Sequence, residues 1–146
     1  DWGSLILFGS GLSLGKILFD TGLAEMAGNF LVTQITGASV FLFLLLLCLF
    51  TVFSTELASN TASANILIPI VIASSSTLSL SGPAPVIAVA LSCSLAFMLP
   101  VATPPNAIVY GSGKVDLTTM MRFGLILNFV CGTSLALVFY FINYAL

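Results

Sequence analysis

Between Leu57 and Gly113 the chain carries no charged side chain, and between Phe123 and Leu146 there is none again. Water-soluble domains devote about a quarter of their residues to Asp, Glu, Lys and Arg. Here 5% of 146 residues are charged and 59% are hydrophobic, and the mean hydropathy is +1.21. A soluble surface cannot be assembled from that supply. A helix needs about 20 mainly apolar residues to cross hydrocarbon, whereas the alternating pattern of a membrane β-barrel is absent. The expected fold class is an all-α polytopic membrane protein, integral and multi-pass.

The same composition removes whole classes of function. Three basic residues and a net charge of −2 give nucleic acid nothing to bind. There is no His, and Cys48, Cys93 and Cys131 stand singly inside apolar runs. They lack metal-ligand spacing and read as small buried apolar residues. No paired acids and no nucleophile with a base suggest an enzyme, and no resident cofactor is expected. The chain opens at Asp1, directly before an apolar segment and without an initiator Met. It reads as a piece of a longer protein.

Along the chain, residues 5–19 form an apolar segment laced with Gly9, Gly11 and Gly15. Gly11 and Gly15 have the small-xxx-small spacing that lets helices approach closely in lipid. Residues 22–34 place Leu23, Met26, Ala27, Phe30 and Leu31 at helical spacing, a short amphipathic helix suited to the membrane surface. Gly37 breaks the pattern. A strongly apolar helix is expected over 39–58, then a second over 62–74, about thirteen residues and too short for a span. Residues 75–85 carry the Ser, Gly and Pro signals of a loop. A further apolar run over 86–99 stops at Pro100, and residues 107–110 resume it. The last helix is expected over 118–146.

Two interruptions therefore fall inside membrane-like sequence. Ser59, Asn60 and Thr61 separate the arms of what reads as a re-entrant hairpin, and residues 100–106 divide a broken helix. Discontinuous helices in membranes supply ion and substrate ligands near mid-depth. Ser59, Asn60 and Thr61 are N-cap residue types. Thr103 is placed to cap a second start, with Pro104 and Pro105 in a first turn that needs no N–H from them. Two helix N-termini facing one cavity would hold an anion without Arg or Lys. A cation site is equally readable, from carbonyls at the helix end near Ala58, the Ala102 carbonyl, the Asn60 side-chain oxygen and the Thr55 hydroxyl. Such hard oxygen ligands suit an alkali cation. Glu56 is the acid deep in this region, and intramembrane acids are functional candidates. Snorkelling, pairing with another part of the protein and proton coupling all remain open for it.

Residues 7–15 (Leu-Phe-Gly-Ser-Gly-Leu-Ser-Leu-Gly), 59–62 (Ser-Asn-Thr-Ala) and 99–107 (Leu-Pro-Val-Ala-Thr-Pro-Pro-Asn-Ala) resemble, in this order, the divalent anion/sodium symporter family. The resemblance covers essentially the whole chain and implies the C-terminal part of a secondary active transporter. Such a protein carries dicarboxylate, citrate or sulfate with Na⁺ as coupling ion. It implies a scaffold helix and interfacial arm in residues 1–38, a transport unit of re-entrant hairpin and broken helix in 39–113, and a last span in 114–146. By the same similarity, Ser59, Asn60, Thr61, Thr103 and Pro104 would contact substrate. Thr55, Ala58, Asn60 and Ala102 would form a sodium site. Family members carry two Ser-Asn-Thr tips in inverted repeats, and this chain contains one. The other half of the site is expected in the remaining N-terminal part. Also implied are a lipid bilayer, plasma or bacterial inner, and a homodimer. Na⁺-independent proton-coupled or exchange transport by the same fold, and a non-transporting structural module, are the alternative readings. Lys114 and Arg122 place their loop in the cytoplasm and Leu146 outside.

Overall fold

A computed structural model describes residues 2–34, 39–77 and 82–145. Seven helices follow one another, and among the described residues there is no strand. Helix α1 (Trp2–Asp20) ends in a tight turn at Gly22, whose φ of 73° suits a residue without Cβ. Helix α2 (Leu23–Gln34) follows. The break expected at Gly37 lies outside the described residues, as do the surroundings of Gly11 and Leu31. In α2 Ala24 is fully buried, whereas Leu23, Met26 and Phe30 of the apolar stripe stay exposed.

Helix α3 (Val40–Thr55) starts where Ser39 Oγ accepts a hydrogen bond from the Leu42 N–H at 3.3 Å. Helix α4 (Asn60–Thr77) has 18 residues with Pro69 inside. The expected arm of 62–74 is thus too short: the helix measures about 27 Å at 1.5 Å per residue. Its start comes earlier because Ser59, rather than Asn60 or Thr61, is the capping residue. Its end comes later because the Ser-rich turn signal after Ala73 is overridden. Pro69 lies against Gly15 of α1, where an added Cβ would stand 3.3 Å from the proline ring. Of the expected loop, residues 75–77 belong to α4 and 78–81 lie outside the described residues.

Helix α5 (Ala84–Ser92) is only nine residues long. The expected helix over 86–99 is therefore corrected: the chain unwinds from Cys93, well before Pro100. Helix α6 (Pro104–Gly111) resumes it, and α7 (Leu117–Ala145) is the longest element. At the start of α7, Asp116 accepts from the Thr119 N–H (3.0 Å) and hydroxyl (2.6 Å). The Thr119 hydroxyl, then its N–H, holds this exposed carboxyl below the usual carboxylate range. The support it gives the helix is complete above the ordinary range and is lost as pH falls through the lowered value.

The core gathers Phe43, Leu44, Leu47 and Cys48 of α3, Val71 of α4, Ala88 and Val89 of α5, and Ala136 and Phe139 of α7. Helix α3 runs along α7, α5 packs on α3, α4 and α7, and α4 also meets α1 and α2. On α7 a stripe of one residue in four faces inward: Met120, Gly124, Asn128, Gly132 and Ala136 are buried. The opposite side leaves Phe123, Ile126, Val130 and Phe141 more than half exposed. An apolar outer face of that extent suits hydrocarbon better than water. Among the described residues, Leu117–Asn143 is the one segment long and apolar enough to cross a membrane.

Candidate functional site at the hairpin tip and the helix break

The arms α3 and α4 are joined by residues 56–59. Leu57 and Ala58 N–H groups both bond the Ser54 carbonyl, at 3.3 and 3.1 Å. Ser59 Oγ then accepts from the Ala62 N–H at 3.1 Å, and the Ser59 carbonyl accepts from the Ser63 N–H at 2.9 Å. This is a serine N-cap, and replacing such a cap with alanine costs about 1 kcal/mol. Ser59→Ala is expected to lower the thermal midpoint of the intact protein, whereas Thr103→Ala should leave it nearly unchanged. Thr103 occupies the N-cap position of α6 in extended conformation (φ −142°, ψ 152°), but its side chain makes no capping bond. The expected side-chain cap at Thr103 is thus not formed; its carbonyl alone serves α6, accepting from the Ala107 N–H at 3.1 Å.

At the inner end of the tip, Thr55 is fully buried. Its hydroxyl oxygen lies 2.7 Å from Asn60 Oδ1 and 3.0 Å from the Cys93 carbonyl oxygen. A hydroxyl has one proton to give, so at any moment one of those oxygens meets only a lone pair. Three oxygens from α3, α4 and the end of α5 therefore converge without a surplus of donors. Neutral oxygen groups of this kind are the ligand type that a hard cation prefers. Of the four expected sodium ligands, Thr55 and Asn60 are joined directly. Ala58 is exposed in the tip turn, and Ala102 lies in the unwound chain with its N–H bonded to the Leu99 carbonyl at 3.1 Å. The Cys93 carbonyl was not among the residues expected from sequence.

Thr103 and Pro104 line an open pocket of about 540 Å³ with Pro100, Val101, Ala107 and Tyr110. Ser59, Asn60 and Thr61 are not part of that lining. The structure thus places Thr103 beside Pro104 in this pocket, and Thr55 against Asn60 at the start of α4.

Sequence reasoning also missed what braces the unwound chain. Glu56, 4% exposed, accepts from the N–H groups of Phe97 and Met98 at 2.8 Å through Oε1 and of Leu99 at 2.9 Å through Oε2. Asn128 of α7 donates to Glu56 Oε1 at 2.7 Å and accepts from the Phe97 N–H at 3.2 Å. Asn106 of α6 donates to the Ala96 and Leu99 carbonyls at 2.9 and 3.0 Å. Gly124, one turn before Asn128, lets this chain press onto α7. A Cβ there would fall on the Phe97 carbonyl oxygen and within 2.6 Å of Met98 Cα. The available signal was an asparagine within an apolar helix, four residues beyond a glycine. Among the described residues no three His, Cys, Asp or Glu side chains gather into a metal cluster.

Comparison with known proteins gives this geometry a family. Residues 1–144 match the sodium:sulfate symporter transmembrane region. An "uncharacterized transporter" of Haemophilus influenzae is 46% identical over 138 residues, covering 93% of this chain and 30% of that protein. The sodium-dependent dicarboxylate transporters SdcS of Staphylococcus saprophyticus and Staphylococcus aureus (strain MRSA252) are each 39% identical, covering 97% of this chain and 27% of those proteins. The chain thus spans less than a third of the length of these relatives. It belongs to the sodium:sulfate symporter family.

Proposed function

We propose that this chain forms one part of a secondary active transporter that couples Na⁺ to uptake of a dicarboxylate or related divalent anion. The observation that carries the reading is the meeting of the Thr55 hydroxyl, Asn60 Oδ1 and the Cys93 carbonyl within 3.0 Å at the hairpin tip. These oxygens would hold Na⁺, with the Ala58 and Ala102 carbonyls completing the set. Ser59, Asn60 and Thr61 at the start of α4, and Thr103 and Pro104 at the start of α6, would face the carboxylates. Helix N-termini attract anions through their free N–H groups and dipole. A cation beside the anion offsets its charge where the dielectric is low. No resident cofactor is needed beyond the coupling ion.

In this reading α3 and α4 form a re-entrant hairpin, and α5 and α6 the halves of a broken helix, of an inverted-repeat fold. The other tip lies in the rest of the transporter. Residues 39–113 would move as a unit against a scaffold that includes 1–38, giving alternating access. The exposed stripe of α2 would rest on lipid as an interfacial arm. The span in 114–146 would leave the chain after α7 outside the cell, and the assembly would be a homodimer.

The test is uptake of radiolabelled succinate by the intact transporter in proteoliposomes. An inward Na⁺ gradient is expected to drive uptake, and K⁺ in its place to reduce it to background. Equal uptake in Na⁺-free medium would overturn the symport reading in favour of proton-coupled or exchange transport. Absence of flux for succinate, citrate and sulfate alike would favour a structural module.

A further inference from the structure

Helix α5 ends at Ser92, and its last carbonyls still take the N–H groups of Cys93, Ser94 and Leu95; beyond that turn the chain must find acceptors elsewhere. In an apolar surrounding an unpartnered N–H is costly. Three successive ones, on Phe97, Met98 and Leu99, converge on the single carboxylate of Glu56. Such a run of backbone N–H groups is an anion-binding nest. The Asn128 amide supplies a fourth donor and its oxygen shares the Phe97 N–H. Every partner of Glu56 is a donor, the complement of an ionised carboxylate. Three of these donors meet Oε1 and the Leu99 N–H meets Oε2.

Two consequences bear on the oxygen cluster. Glu56 is the residue after Thr55, and the chain it grips begins four residues after Cys93. One side chain therefore ties together the two segments whose Thr55 hydroxyl and Cys93 carbonyl meet at 3.0 Å. Asn128, fully buried, anchors that tie to α7. Glu56 also brings a negative charge into a site where its bonded partners are all neutral N–H groups. A cation held by Thr55, Asn60 and Cys93 is its natural counter-charge.

We propose that Glu56 and Asn128 are positioning residues of the cation site. They touch no substrate; they fix the unwound chain so that the Cys93 carbonyl completes an oxygen set around Na⁺, and Glu56 supplies the compensating charge. The proposal rests on the sodium-coupled reading above. Neither residue belongs to the expected ligand set. Outer-shell partners of this kind typically change metal affinity by about 10–100-fold when replaced.

The test uses Glu56→Gln and Asn128→Ala in the intact transporter, with succinate as transported probe. Glu56→Gln removes the charge and turns an acceptor into a donor facing a backbone N–H. Asn128→Ala keeps the charge and cuts the anchor. Both are expected to raise the Na⁺ activation constant about tenfold while leaving the KM for succinate at saturating Na⁺ near that of the wild type. Unchanged Na⁺ activation, or equal loss in both constants, would overturn the proposal. Should either variant fail to fold, the wild-type protein supplies the second readout. Hydrogen exchange at the Phe97, Met98 and Leu99 amides is expected to slow in Na⁺ relative to K⁺, and exchange indifferent to the ion would overturn it. Wild-type uptake that ignores Na⁺ would sink the coupled-transport reading as well. Na⁺-dependent wild-type uptake with unaffected variants would sink this proposal alone.

Discussion

Gly124→Ala is expected to destabilise the protein more than any other single methyl added to a glycine of α7. The new carbon would overlap the Phe97 carbonyl oxygen and lie within 2.6 Å of Met98 Cα. These are backbone atoms, so no rotamer change relieves the clash, and either α7 or the unwound chain must move bodily. Overpacking typically costs about 1–3 kcal/mol. Here the displacement also draws Asn128, one turn away, off Glu56 and the Phe97 N–H, leaving buried polar groups at a further cost of about 1–3 kcal/mol. A domain has only about 5–15 kcal/mol of stability in total. Gly132→Ala is the internal control, because its Cβ would meet the Leu49 side chain, Cδ2 at 2.9 Å, which can rotate. Gly9→Ala meets nothing within 4 Å and is expected to be neutral or slightly stabilising in the middle of α1. Thermal midpoints of the purified protein should rank Gly9→Ala above Gly132→Ala and Gly132→Ala above Gly124→Ala. Equal midpoints for the last two would mean that the unwound chain does not press on α7.

The order of helices was legible in the sequence because hydrophobic runs and their interruptions are local facts. Both the polar tip and the break before α6 could be read from Ser59-Asn60-Thr61 and Thr103-Pro104-Pro105 alone. The upstream limit of the break could not. Residues 86–99 form an apolar run without a glycine or proline, and local propensity favours one helix there. It ends at Ser92 because an acceptor for the Phe97, Met98 and Leu99 N–H groups stands 41 to 43 residues earlier in the chain. Propensity is a weak prior against such a tertiary partner. Glu56 was visible as an acid in membrane-like sequence, but its role was not, since its partners are backbone groups and backbone leaves no mark in sequence. The Cys93 carbonyl was hidden for the same reason. Helix α4 starts two residues before the expected position 62 for a subtler cause. Ser, Asn and Thr are all competent N-caps, and only the geometry, with Ser59 Oγ on the Ala62 N–H, separates the cap from the two residues that follow it.

That separation bears on the role proposed for Asn60. Because Ser59 caps α4, the Asn60 side chain has no capping duty and turns to Thr55 at 2.7 Å. Asn60→Ala is expected to abolish Na⁺-driven succinate uptake while the protein still reaches the membrane and keeps a thermal midpoint near that of the wild type. The cost to folding is small because Asn60 is only half-buried and the Thr55 hydroxyl retains the Cys93 carbonyl as acceptor at 3.0 Å. The cost to function is large because an oxygen is lost from the proposed cation set, and binding a bare ion in a dry site depends on replacing its hydration oxygens. Thr55→Val, which keeps the shape and removes the hydroxyl, should show the same loss, and the double variant should be no worse than either single one if the two oxygens act on one ion. Raising Na⁺ should partly restore either single variant, since each keeps two of the three oxygens. A folded Asn60→Ala transporter with wild-type Na⁺-driven uptake would show that the tip oxygens hold the hairpin together and bind no ion.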